Sequence, residues 1–162
     1  AADSYRGIHE VAGAAAHPVI RRMLAATRRG GSARAGMGAD QSGASTVGPT
    51  PSDELDWCAA AASTCLAEAL EGAPAPCGRR AACWELIADA RVLGTWRDVD
   101  SGYAPQHGDL ELTSRNGGDP RKPGQLGHVG IRVGHQRIDG NSGNAMRLVM
   151  AGLDVVGWIQ VA

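Results

Sequence analysis

A tight-turn signal in the second half of the chain restricts its folding more than any other feature. Gly134-His135 separates two alternating segments, HVGIRV (128–133) and QRIDGN (136–141), and a two-residue connection of this kind joins antiparallel strands. In that geometry Val133 lies opposite Gln136, and every pair of facing residues has numbers that sum to 269. The turn therefore predicts a hairpin together with its register.

The register decides which side chains share a face of the hairpin. Because side chains alternate between the faces of a strand, His128, Asp139 and Asn141 are predicted on one face, with Asn141 opposite His128. The other face is apolar and carries Val129, Ile131, Val133 and Ile138. Directly opposed Cβ atoms lie about 4.5–5.5 Å apart, so both polar groups are within reach of the imidazole. The hairpin thus predicts a histidine with two side chains that could orient it.

Helical periodicity dominates the first half of the chain and alternation the second half. The patterns predict helices over 19–29, 56–71 and 79–90 and further strands over 109–113, 145–150 and 155–161. Residues 30–52 form a long loop rich in Gly, Ser and Ala, and the segment before it is too short to be a domain. Helices followed by an antiparallel meander predict one α+β domain over residues 1–162.

Composition excludes several classes of protein. A net charge of −1 gives no reason to expect a nucleic-acid or membrane-surface partner. No apolar run approaches the roughly 20 residues needed to span a bilayer, and the first residues do not have the pattern of a secretory signal peptide. The four cysteines include no C-x-x-C pair, so a metal site is not expected. No cofactor of another kind is expected either.

Cys58 lies at the start of the second predicted helix, in the stretch DELDWCAAAASTCL. The residues alone leave four roles open: core residue, disulfide partner, metal ligand or nucleophile. A helix N-terminus lowers the pKa of a thiol from about 8.5, and a histidine oriented by an Asp or Asn would complete a nucleophile, base and orienting group. Cys77 lies in a loop and is expected to form a disulfide with Cys83 or Cys65.

Four motifs in order, DELDWCAAAASTCL, HGDLEL, GHVGIRVG and IDGN, resemble the CHAP amidase/endopeptidase family. This family is a papain-like group related to the NlpC-type hydrolases, and the resemblance extends from about Tyr5 to Val161. It implies a fold in which N-terminal helices pack on a C-terminal antiparallel β-sheet. One departure is Ala61, where the family usually has an aromatic residue, and another is the long 30–52 loop.

The resemblance also implies roles for individual residues. Cys58 matches the nucleophile and His128 the general base, while Asp139 matches the third, orienting residue. Asn141 matches the asparagine that often follows two positions later. Apart from the resemblance, Trp57 is expected either in the core or, beside the nucleophile, in the substrate cleft, and Asp53 is expected at the rim of that cleft, so both are candidates for binding substrate.

The function implied by the resemblance is hydrolysis of an amide bond in peptidoglycan, as an N-acetylmuramoyl-L-alanine amidase or an endopeptidase. Such an enzyme is expected to be a monomer that is secreted, or delivered to the periplasm or cell wall by phage lysis or by a contact-dependent system such as type VI secretion. An injected toxin would need an immunity protein in its producer. Two alternatives stay open: a papain-like protease or acyltransferase acting on proteins, and an inactive wall-binding module.

Overall fold

The computed structural model describes residues 19, 22, 57–71, 73–140, 142 and 145–161. Val19 and Arg22 are helical, in agreement with the predicted first helix. The rest of that helix and the 30–52 loop lie outside the described residues. Asp53 and Asn141 lie outside them as well, so the roles assigned to these two residues stay predictions.

Two helices follow Trp57, and both begin later than the sequence pattern predicts. Helix α1 spans Cys58–Ala69 and helix α2 spans Cys83–Leu93. Alanine, the best helix former, makes up much of α1. The start of α2 is delayed because Asp89 holds the preceding loop: its Oδ2 accepts from the Gly78 amide at 3.1 Å and from Nε of Arg80 at 2.7 Å. Neither helix, at 12 and 11 residues, is long enough to cross a bilayer.

The strands form one six-stranded antiparallel sheet, which together with the helices confirms the predicted α+β class. The strands are β1 Trp96–Asp98, β2 Leu110–Ser114, β3 Gly127–Val133, β4 Gln136–Asp139, β5 Arg147–Met150 and β6 Val155–Ile159. Their spatial order is β1-β6-β2-β3-β4-β5. The predicted meander is therefore wrong for β6, which lies between β1 and β2, where Ile159 is opposite both Trp96 and Leu110 and fully buried.

The predicted hairpin register is confirmed, with Val133 opposite Gln136 and Gly130 opposite Asp139. On the other side of β3, Glu111 lies opposite Gly130 and Thr113 opposite His128. Because facing residues share a face of a sheet, β2, β3 and β4 together form a polar face. Its members are Glu111, Thr113, His128, Arg132, Arg137 and Asp139.

Helix α1 packs on the apolar side of the same strands. Cys58, Ala59 and Ala62 belong to one buried cluster, which includes Leu112 and Val129 of the sheet. A second cluster contains Trp57, Ala60, Ala61, Cys65, Ile138 and Met146. Small alanine side chains at this contact let the helix backbone lie close to the sheet, which brings the first turn of α1 to the start of β3.

Candidate active site

Cys58 is the first residue of α1 and is only 2% exposed. Its sulfur accepts hydrogen bonds from the thiol of Cys83, the imidazole of His128 and the backbone N–H of Val129. The Cys83 hydrogen bond and the contacts with His128 and Val129 outweigh burial, so the pKa of Cys58 is lowered well below 9.0. The N-terminus of α1 also favours negative charge at this position.

His128 is the second residue of β3 and is buried. Its Nε2 lies 2.9 Å from Oδ2 of Asp139, a distance at which the two form an ion pair when the imidazole is protonated. Burial alone would lower the pKa of His128, but the contacts with Asp139 and Cys58 raise it from 6.5 to about 9. The lowered thiol pKa and the raised imidazole pKa together favour a thiolate–imidazolium pair.

Asp139 is held from its second side by Arg137, two residues earlier on the same strand. Nε of Arg137 donates to Oδ1 at 2.7 Å and Nη2 donates to Oδ2 at 3.0 Å. A guanidinium bound to both oxygens fixes the plane of the carboxylate as well as its position. The carboxylate therefore cannot turn away from His128 without breaking this pair.

The charge of Arg137 is in turn balanced by Glu111, which is completely buried. Nη1 of Arg137 donates to Oε1 of Glu111 at 3.0 Å, and the amide of Gly152 donates to the same oxygen at 2.8 Å. The second oxygen of Glu111 pairs with Arg132. Buried charges are tolerated when they are paired and hydrogen-bonded. Glu111 therefore fixes the position of Arg137, and Arg137 in turn fixes the orientation of Asp139.

Gly130 is the residue that leaves space for this arrangement. It lies opposite Asp139, and a Cβ atom placed on it would overlap Oδ1 of Asp139 and approach Cδ of Arg137 to 3.0 Å. Any side chain at this position would displace the carboxylate.

A cavity of about 310 Å³ opens on the polar face. Its lining comprises Thr113, Ser114, Arg115, His128, Arg137, Asp139 and Ser142. His128 thus borders this cavity and also contacts the sulfur of Cys58. The lining consists of hydroxyl and charged side chains, which suits a hydrogen-bonding substrate rather than an apolar one.

The structure brings together the three predicted catalytic residues that it describes: Cys58, His128 and Asp139. Of the two positions predicted for Trp57, the structure shows the core. The Trp57 side chain is 0% exposed and packs with Ala61 and Ile138, so the expectation that it lines the substrate cleft is corrected. The indole is too large an apolar surface to leave exposed beside a helix that packs on the sheet.

The predicted disulfide is also corrected, since all four cysteines lie in the described residues and all are free thiols. Cys65 packs in a different cluster from Cys77 and Cys83, while the thiol of Cys83 is directed to Cys58. Burial is the main reason that the pKa of Cys65 and of Cys77 is raised to about 12. These two thiols are therefore unreactive at neutral pH.

Three residues of the site were not predicted from the sequence. Arg137 could have been found, because it lies two positions before Asp139 and must share its face. Glu111 and Cys83 depend on the pairing of β2 with β3 and on the packing of α2, for which the sequence has no local signal. In the part of the chain that the structure describes, no three His, Cys, Asp or Glu side chains converge as metal ligands.

Comparison with known proteins found no matching family model, no matching curated protein and no matching solved structure. The function of the chain is therefore inferred from the chemistry of these residues and from the motifs in its sequence.

Proposed function

We propose that the chain is a cysteine hydrolase that cleaves an amide bond of peptidoglycan, with Cys58 as nucleophile, His128 as general base and acid, and Asp139 as the residue that orients His128. The observation that carries the proposal is a continuous line of contacts: the Cys58 sulfur accepts from His128, whose Nε2 lies 2.9 Å from Asp139. A buried thiol at a helix start, paired with an oriented imidazole, is the arrangement that activates sulfur for attack.

The substrate class comes from the resemblance of four sequence motifs to the CHAP family. Its papain-like fold, with residues 1–162 as one catalytic domain, is part of the same proposal. The antiparallel sheet with α1 on one face is compatible with it. The polar cavity beside His128 supports a substrate rich in amide, hydroxyl and carboxylate groups, as peptidoglycan is.

In the first half of the reaction His128 holds the proton that Cys58 has lost. The thiolate attacks the amide carbonyl carbon, a C–S bond forms, and the carbonyl π electrons move to oxygen. The backbone N–H of Cys58, at the N-terminus of α1, is a donor for that oxyanion. The tetrahedral intermediate collapses, the C–N bond breaks, and the imidazolium of His128 protonates the departing amine.

In the second half neutral His128 removes a proton from water, and the resulting hydroxide attacks the thioester carbonyl. The C–S bond breaks, a carboxylic acid leaves, and Cys58 is again a thiolate beside a protonated His128. The carboxylate of Asp139 stabilises the imidazolium, as an orienting carboxylate does in such triads.

The decisive experiment compares purified sacculi treated with the wild-type chain, with Cys58→Ala and with Cys65→Ala. Cys65 is the matched control because it lies on the same helix, is equally buried and has a pKa raised to about 12. We expect wild type and Cys65→Ala to release soluble fragments and Cys58→Ala to release none. Equal release by wild type and Cys58→Ala would refute the proposal.

Mass spectrometry of the fragments then assigns the bond. An amidase frees stem peptides with an L-alanine amino terminus, whereas an endopeptidase frees peptides cut within the stem or cross-bridge. Cleavage of a protein substrate by wild type, with no product from sacculi, would instead establish a papain-like protease.

A further inference from the structure

The two helices place a second cysteine beside the nucleophile. Cys58 is the first residue of α1 and Cys83 is the first residue of α2. Both side chains are buried in the same cluster, at 2% and 8% exposure. The residues that precede them, Trp57 and Ala82, have no side-chain oxygen to cap the helix, so the first amides of both helices stay available to an anion.

The proton between the two thiols has a defined location. His128 contacts Cys58 and accepts its proton. The hydrogen bond with Cys83 favours the charged form of Cys58, so the S–H of Cys83 is the donor in it. Of all the contacts of Cys58, this one contributes most to lowering the pKa of the thiol.

We propose that Cys83 is a positioning residue whose S–H donates to the Cys58 thiolate and holds that sulfur charged at the start of β3. The catalytic meaning of this contact rests on the proposed function, but the contact itself can be measured without any wall substrate. The Cys83 donor matters because Cys58 is buried: a thiolate at 2% exposure has little water to solvate it and needs hydrogen-bond donors from the protein instead.

The contact has two opposite effects on reactivity. A donor to the sulfur increases the fraction of thiolate at acidic pH, yet it lowers the nucleophilicity of each thiolate. Loss of the donor should therefore shift the titration of Cys58 upward and, at high pH, make its alkylation faster. General damage to the site would not raise the high-pH rate, so the two effects together identify a donor.

The test measures the rate of alkylation of Cys58 by iodoacetamide against pH, with peptide mapping to separate the four cysteines. The variants are Cys83→Ser, which retains a donor, and Cys83→Ala and Cys83→Val, which do not. Two donor-free variants are used so that loss of the fold in one still leaves the other, and circular dichroism selects the folded one. Cys77→Ala is the control, because it removes another buried thiol of the same cluster.

For a donor-free variant we expect the midpoint of the rate profile to rise by about one pH unit, with a rate about tenfold lower on the acidic side. Above the midpoint the rate should increase about threefold. Cys83→Ser and Cys77→Ala should keep the wild-type midpoint. An unchanged midpoint in the folded donor-free variant, or an equal shift in Cys77→Ala, would overturn the proposal. Failure of the wild type to release fragments from sacculi would refute the hydrolase function alone.

Discussion

Oδ2 of Asp139 lies 2.9 Å from Nε2 of His128, and both oxygens of the same carboxylate accept hydrogen bonds from Arg137. The acid that orients the imidazole is thus itself oriented by a neighbour on its own strand. This arrangement holds Asp139 with groups of the protein alone, and it connects the carboxylate through Arg137 and Glu111 to Arg132.

Replacement of Asp139 by Asn should lower kcat by about a hundredfold or more, because a neutral amide cannot stabilise the imidazolium. It should also move the basic limb of the pH–rate profile to lower pH, since Asp139 helps to raise the pKa of His128 to about 9. Both effects can be read from hydrolysis of sacculi against pH.

Asp109→Asn is the control for this prediction. Asp109 is equally buried and accepts from Tyr103, Gln106 and Val161, away from the triad. The control should lose stability without moving the basic limb. If Asp139→Asn leaves that limb in place, Asp139 does not act on His128.

Replacement of Glu111 by Gln should destabilise the fold by about 3–5 kcal/mol, because Arg132 would lose its buried counterion and Arg137 would keep only Asp139. Urea unfolding followed by circular dichroism gives this value. Asp119→Asn, which breaks an ion pair with Arg121 near the surface, should cost about 1 kcal/mol or less. Comparable losses in the two variants would show that the Glu111 network contributes no special stability.

The thiolate–imidazolium pair predicts an unusual dependence of stability on pH. The pKa of His128 is raised from 6.5 to about 9. Its contribution to the free energy of unfolding is therefore complete below about pH 6.5 and is lost as the pH rises through about 9. The pKa of Cys58 is lowered from 9.0, so its contribution is complete above about 9 and is lost as pH falls through the lowered value. Between about 6.5 and about 9 the folded and unfolded chains each bind one proton at the pair, and the two slopes cancel.

The measurement is the free energy of unfolding of wild type minus that of the Cys58→Ala/His128→Ala double variant. This difference should be flat between about pH 6.5 and about pH 9 and should shrink as the pH falls further. A steady decline of this difference as the pH rises from about 6.5 to about 9 would mean that Cys58 is a neutral thiol in the folded protein.

Gly130→Ala should abolish most of the activity while the chain still folds, since the added methyl group would collide with Oδ1 of Asp139. Overpacking of this kind costs about 1–3 kcal/mol of stability. Gly134→Asn is the matched control on the same hairpin: Gly134 has a φ of 61° with open space around it, and Asn tolerates that conformation. Full activity in Gly130→Ala would show that the carboxylate need not be held there.

The local part of the site was predictable from the sequence. A two-residue turn sets the register of β3 and β4, and the register alone places His128 and Asp139 on one face. Cys58 could be placed at a helix start by the alanine-rich pattern that follows it. These inferences need only the geometry of one turn, one strand pair and one helix.

What the sequence did not reveal depends on contacts between distant segments. β6 inserts beside β2 across a long stretch of chain, and β1 is a three-residue strand with little pattern of its own. Glu111 reaches Arg137 only because of the β2–β3 register, which no tight turn fixes. Cys83 meets Cys58 through the packing of α2, and no periodicity predicts which helix starts will meet.

Cys58 belongs to the same buried cluster as Leu112, Val129 and Ile159. The reacting atom is therefore part of the cooperative unit that melts when the protein is heated, and not part of a loop that opens earlier. Thermal inactivation should coincide with the loss of the whole fold. Under the proposed function, this coupling means that any chain able to fold also has its nucleophile in place.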